Sequence, residues 1–159
     1  MCIRDRDIYE LKGKEFPAFE LTLLNGEQLN SATLKGQPTL INFWFINCAP
    51  CIEEMPLLND LQTKFSEQVN FVAITFQSQK EVDSFLQKFD FEFQHVVDAR
   101  PFIKSLGISA YPKTVLLDRD FIVVDIEKRI PKAHGEEKIK NQQEFKTRLE
   151  NKISVLLQE

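Results

Sequence analysis

The chain has 159 residues, 43% of them hydrophobic, and a net charge of −4. That length holds one compact core and not two, and fourteen phenylalanines against five glycines describe an ordered domain. No basic block suits nucleic acid, no basic amphipathic stretch suits a membrane surface, and no apolar run is long enough to cross a bilayer.

The first six residues, Met1 to Arg6 (MCIRDR), are polar and lack the apolar centre of a signal peptide. They look like a translated adapter scar, a reading that leaves room for a lost leader or membrane anchor. Residues 1–12 are therefore read as a tail and 13–159 as the domain. Cys2 lacks the apolar lipobox that would mark a lipid-modified cysteine.

Phe19 to Leu24 and Glu27 to Asn30, joined by Asn25-Gly26, form a predicted hairpin, because both turn residues tolerate positive φ. Thr39 to Phe45, after Pro38, reads as a strand buried on both faces. From Ala49 to Phe65 the pattern turns helical, with Met55, Leu58, Leu61 and Phe65 at three- and four-residue steps and a kink expected at Pro56. Val69 to Phe76 is a second buried strand, Lys80 to Phe89 a helix and Phe91 to Val97 a third strand. His95 shares strand parity with Phe91, Phe93 and Val97, which makes it a half-buried packing residue. Pro101 to Leu106 is a short helix. Thr114 to Leu117 and Phe121 to Ile126 are two strands joined by an Asp118-Arg119-Asp120 turn. Glu127 to Lys140 reads as an exposed charged loop, with His134 solvated. A last helix is predicted to open at Asn141, with Glu144 completing a capping-box-like pair. Strands alternating with helices imply a parallel sheet core with an antiparallel edge, covered by helices on both faces.

There are three cysteines, too few for a disulfide scaffold. Two lie in Cys48-Ala49-Pro50-Cys51, directly after a buried strand and at the opening of a helix. Cysteines three apart at that junction can bring their sulfurs to bonding distance, and the free N–H groups and dipole of the helix N-terminus stabilise a thiolate on the first. Pro50 fits the first turn, where its missing N–H costs nothing. This context favours a redox pair over a static disulfide or two inert thiols. His95 and His134 are too scattered to complete a zinc site.

Further residues extend the pattern. Phe43-Trp44 ahead of Cys48, Pro56 five after Cys51, and Tyr111-Pro112 followed by Thr114-Val-Leu-Leu resemble the thioredoxin superfamily. Within it, the Gly13-to-Phe19 lead-in, Glu54-Met55-Pro56 after the second cysteine, and the helix and strand from Lys80 to Val97 resemble the TlpA/ResA group of envelope thiol–disulfide oxidoreductases. The likeness covers about Gly13 to Glu159. It implies an α/β, thioredoxin-like three-layer sandwich with an N-terminal β-hairpin and a central helix–strand insertion. It also implies a cis Tyr111-Pro112 bond facing the cysteines.

The chain departs from thioredoxins at Asn47, where tryptophan is usual, and at Asn42, in place of the buried aspartate. The resemblance makes Glu54 the replacement proton carrier, on the same helix side as Cys51. Glu53 reads as a dipole-complementing residue only. Asn47, Ala49, Pro50, Tyr111 and Pro112 become candidate partner contacts, and Trp44 a further one, although its position also suits the core.

The expected activity is thiol–disulfide exchange with protein thiols or disulfides, fed by an upstream redox donor protein, in the periplasm or cell envelope. No metal or organic cofactor is implied, because the electrons stay on sulfur. Two alternatives share the fold. A peroxiredoxin-like peroxidase would need Thr or Ser three before its cysteine, where this chain has Phe45. A copper-binding carrier would resemble Cys-x-x-x-Cys with a well-placed histidine.

Overall fold

The computed structural model describes residues 7–159; Met1 to Arg6, and with them Cys2, lie outside the described residues. In chain order the elements are β1 (Glu20–Leu23), β2 (Gln28–Asn30), β3 (Thr39–Phe43), α1 (Ala49–Phe65), β4 (Asn70–Ile74), α2 (Gln79–Leu86), β5 (Gln94–Val97), α3 (Arg100–Ser105), β6 (Lys113–Leu117), β7 (Val123–Lys128) and α4 (Gly135–Leu157). The strands form one seven-stranded sheet in the order β2-β1-β5-β4-β3-β6-β7. β3, β4 and β5 are mutually parallel. β6–β7 and β1–β2 flank them through antiparallel pairings. The all-buried runs of β3 and β6 fit central strands covered on both faces.

Alternation along the strands sorts the core into two layers. Leu40, Phe71, Ala73, Val97 and Leu116 face α1, α2 and α4. Ile41, Val72, Ile74, Val96 and Val115 face α3 and the N-terminal segment. Helices therefore cover both faces, in the three-layer arrangement expected. A 3-10 turn at Ile8–Leu11 lies upstream of the expected Gly13 start, and its Ile8 and Leu11 are buried in the second layer.

Several boundaries shift from the sequence reading, α2 among them, which ends at Leu86 and not Phe89; three of the shifts have a clear local reason. β5 begins at Gln94, not Phe91, because the Asn59 side chain of α1 takes over the backbone there. It accepts from Glu92 N–H and donates to the Asp90 carbonyl, both at 2.9 Å, so Phe91 and Phe93 are buried without a strand. β7 begins at Val123, not Phe121. Asp118 Oδ1 accepts from Asp120 and Ile122 N–H, and Phe121 sits at φ 66°. Most important for the site, α4 begins at Gly135, not Asn141, with His134 as N-cap and without a side-chain cap. The Glu- and Lys-rich stretch 136–140 has no apolar period, but these residues are good helix formers. Glu136 and Glu137 in the first turn suit the dipole.

Candidate active site

The site grows from the junction of β3 and α1. β3 is held between β4 and β6, so its end is fixed in space. Cys48 is the N-cap of α1, with extended backbone (φ −100°, ψ 95°), and its sulfur accepts the Cys51 N–H at 3.2 Å. A cysteine thus does the work usually given to Ser or Asp at this position. Pro50 occupies the first turn, as expected, and the helix runs through Pro56 to Phe65.

Cys48 and Cys51 form a disulfide with an S–S distance of 2.06 Å. Position alone, with Cys48 ahead of the helix and Cys51 inside its first turn, would put the Cys48 sulfur at the surface and Cys51 behind it. In the disulfide form both residues are almost equally buried, at 3% and 2% exposure, within the layer that includes Trp44 and Met55. A bonded pair shares one apolar seat, so the asymmetry lies in position on the helix and not in exposed area.

Trp44 is fully buried among Phe85, Phe91 and His95, with ring centroids 4.9 to 5.9 Å away. It supports the motif from beneath and offers no surface to a partner, so of its two expected roles, contact and core, the packing gives it the core. His95 is buried more deeply than expected and bonds through Nε2 to the Phe91 carbonyl. Burial lowers its pKa and keeps it neutral. Asn42 is buried and donates to Thr114 Oγ1 at 3.1 Å, tying β3 to β6. It carries no titratable proton.

Asn47 and Ala49 are exposed, and Pro50 is half-buried. The loop before Cys48 is anchored from the segment joining β4 to α2. Ile46 N–H donates to Gln77 Oε1 at 2.7 Å, Gln77 Nε2 donates to Glu81 Oε2 at 2.6 Å, and Glu81 closes the capping box with Ser78. On the other side the Phe45, Phe76 and Tyr111 rings meet at 5.3 to 6.0 Å, with Arg100 stacked on Phe76 at 4.5 Å. The Tyr111–Pro112 bond is cis, as the resemblance implies. Phe43 pairs with Lys113 in the β3–β6 ladder, so Pro112 stands beside the end of β3 from which the cysteine loop departs.

Glu54 is the unusual group. It is 1% exposed on α1, one helical step of three from Cys51. Oε2 accepts the Ile130 N–H at 3.3 Å, and Oε1 has no partner among the described residues. Burial raises its pKa to about 8, against the opposing pull of that N–H and of Arg129. The carboxyl is therefore mostly protonated at neutral pH. Glu53 is exposed and pairs with Lys138 at 3.3 Å.

Sequence reasoning missed Gln77, Arg129 and Ile130. Gln77 lies between a strand and a helix with no pattern to single it out. Arg129 and Ile130 fall in the charged stretch read as a solvated loop. The alternation that places Phe121, Val123 and Asp125 on the buried side does not extend to them.

Comparison with known proteins agrees with this geometry. The Redoxin family model matches residues 11–149. The thioredoxin-like protein YneN of Bacillus subtilis is 32% identical over 119 residues, covering 72% of this chain and 70% of YneN. The thiol–disulfide oxidoreductase ResA of Bacillus thuringiensis subsp. konkukian is 33% identical over 115 residues, covering 70% of this chain and 66% of ResA. The chain thus spans about two thirds of the length of these relatives. Among solved structures, a Chlorobium tepidum protein provisionally named thiol:disulfide interchange protein DsbE superposes with a TM-score of 0.72 at 23% identity, over 92% of this chain and 97% of that one. A secreted Mycobacterium tuberculosis disulfide oxidoreductase superposes with a TM-score of 0.62 at 24% identity, over 78% and 92%. These two likenesses establish the fold.

Proposed function

Because this chain belongs to the redoxin family and is a thiol–disulfide oxidoreductase, we propose that Cys48 is its attacking sulfur, Cys51 its resolving sulfur and Glu54 the proton carrier of Cys51. The observation that carries this reading is the Cys51 N–H aimed at the Cys48 sulfur from the first turn of α1. In the reduced protein that N–H and the helix dipole favour charge on Cys48.

In the oxidising direction, a partner thiolate attacks Cys48 and the Cys48–Cys51 bond breaks. Cys51 leaves as a thiolate and takes the proton of the Glu54 carboxylic acid. A second partner thiolate then attacks the partner sulfur of the mixed disulfide, releasing Cys48 as a thiolate and leaving the partner with a disulfide. In the reducing direction, the Cys48 thiolate attacks a partner disulfide and releases one partner sulfur as a thiolate. Cys51 then gives its proton to the Glu54 carboxylate and attacks Cys48, freeing the second partner sulfur. Each cycle moves two electrons and leaves them on sulfur.

Asn47, Ala49 and Pro50 beside the cysteines, with the half-buried Tyr111, form the docking rim; Pro112 is itself buried and contributes backbone shape rather than surface. A domain that begins ahead of the Gly13 start expected from sequence, since Ile8 and Leu11 belong to its core, and an extracytoplasmic workplace with an upstream protein to set the redox state complete the proposal. The secreted character of the Mycobacterium tuberculosis structural neighbour supports that location.

An insulin-reduction assay run beside a Cu(I) titration tests the reading. Precipitation faster than with dithiothreitol alone, lost in Cys48→Ser, is expected. Stoichiometric copper uptake without insulin reduction would turn the assignment to the carrier.

A further inference from the structure

Beside the disulfide lies a cavity of about 340 Å³. One wall is Ala49 and Pro50, the two residues between the cysteines, and Glu54 lies against it. The opposite wall is the segment joining β7 to α4, and this segment is fastened down. Ile130 packs against the core layer of the cysteines and donates its N–H to Glu54, and Pro131 fixes the next φ. Arg129 and Lys132 flank this anchor and are exposed. Among the described residues neither has an ion-pair partner within 4 Å, whereas Lys138 on the same cavity is paired with Glu53.

Two free cations therefore border the redox pair in a chain whose net charge is −4. Glu54 opposes them with at most one negative charge, and Glu53 on the same cavity is already neutralised by Lys138, so the place stays positive whether or not Glu54 holds its proton. An acidic partner is repelled by the net charge of the chain but attracted at this place beside the disulfide, over about the 10 Å that salt leaves unscreened at 0.1 M.

Resting on the oxidoreductase reading above, we propose that this cavity recognises an Asp or Glu side chain placed one or two residues from the reactive cysteine of the partner protein. The shared wall sets that distance. An occupant touching Ala49 and Pro50 is within a residue or two of the sulfur joined to Cys48, at about 3.3 Å per extended residue. Arg129 and Lys132 would then be specificity-determining residues, acting on the encounter and on the lifetime of the mixed disulfide.

The test uses three synthetic peptides, each with one intrachain disulfide and identical except for Asp, Asn or Lys beside the first cysteine. Bimolecular rate constants for their reduction by the reduced protein are measured at low and at high salt. The Asp peptide is expected to exceed the Asn peptide by roughly 5- to 10-fold at low salt, with the Lys peptide slowest, and the ranking should collapse at high salt. The R129E/K132E variant should invert the ranking. K132E alone should lower the Asp-to-Asn ratio, and it does so without removing the Arg129 charge that acts on Glu54. The ratio within one variant cancels any general loss of activity. Equal rates for all three peptides, or a ranking unchanged in both variants, would overturn the proposal and leave the oxidoreductase reading standing. No exchange with any peptide, the Asn peptide included, would overturn that reading and the proposal together.

Discussion

Glu54 and Ile130 are 76 positions apart, yet the Ile130 N–H meets the Glu54 carboxylate at 3.3 Å. That single bond joins the helix of the cysteines to the β7–α4 connection and leaves the other carboxyl oxygen without a partner among the described residues. A buried acid held this way is costly to ionise, and the consequences can be measured.

Stability should fall as pH rises from about 4.5 to about 8. The Glu54 pKa is raised to about 8 from an ordinary 4.5. Below the lower value the acid is protonated folded or unfolded. Between the two, the unfolded chain loses a proton that the folded chain keeps, so the unfolded state gains. Above the upper value both have lost it and the slope vanishes. At pH 7 the deficit is of the order of 3 kcal/mol. His95 works oppositely at the acid end: its lowered pKa costs stability as pH falls below about 6.5. The difference between wild type and Glu54→Gln isolates the carboxyl. Urea unfolding across this range should show Glu54→Gln gaining on wild type as pH rises. Parallel profiles would mean that Glu54 ionises freely.

Glu54→Gln should also change exchange kinetics. The amide cannot give a proton to the departing Cys51 sulfur, so partner-thiol attack on the disulfide should slow by about 10- to 100-fold near pH 7, with the fold intact by circular dichroism. An unchanged pH–rate profile would return Glu54 to the core.

Much of this was legible in the sequence, and the part that was not has a physical pattern. The Cys48-Ala49-Pro50-Cys51 junction, β3, α1 and the Asn25-Gly26 hairpin are encoded locally, by caps, periods and turn residues, and the structure has them where expected. The errors fall where a distant group replaces a local one. Asn59 delays the start of β5 by taking the backbone bonds ahead of it. The stretch from Arg129 to Lys140 acquires its role only by crossing to α1, through Ile130 to Glu54 and Lys138 to Glu53. Trp44 was ambiguous for another reason: an aromatic beside a motif suits contact and core equally, and only packing against Phe85 and Phe91 decides it.

Gln77→Ala should loosen the cysteine loop without unfolding the chain. It deletes the acceptor of the Ile46 N–H at 2.7 Å and the link to Glu81. A loss of about 1 kcal/mol is expected in chemical unfolding, together with faster amide exchange at Ile46. Unaltered exchange there would show that the aromatic contacts of Phe45 hold the loop by themselves.

Cys51→Ser should accumulate mixed disulfides with partner proteins, and Cys48→Ser few, because the first keeps the sulfur favoured by the helix N-terminus. Acid quenching, non-reducing gels and mass spectrometry read the result. Equal trapping would make the cysteines interchangeable. Trapping through Cys2 alone would move the site.

The most direct test is the reduction potential of the Cys48–Cys51 pair itself. The protein is equilibrated in thiol–disulfide buffers, and the free thiols are trapped and counted. A working exchange couple should convert reversibly with a two-electron slope, at a midpoint between roughly −270 and −120 mV. A pair that stays oxidised below about −300 mV, as structural disulfides do, would contradict the account.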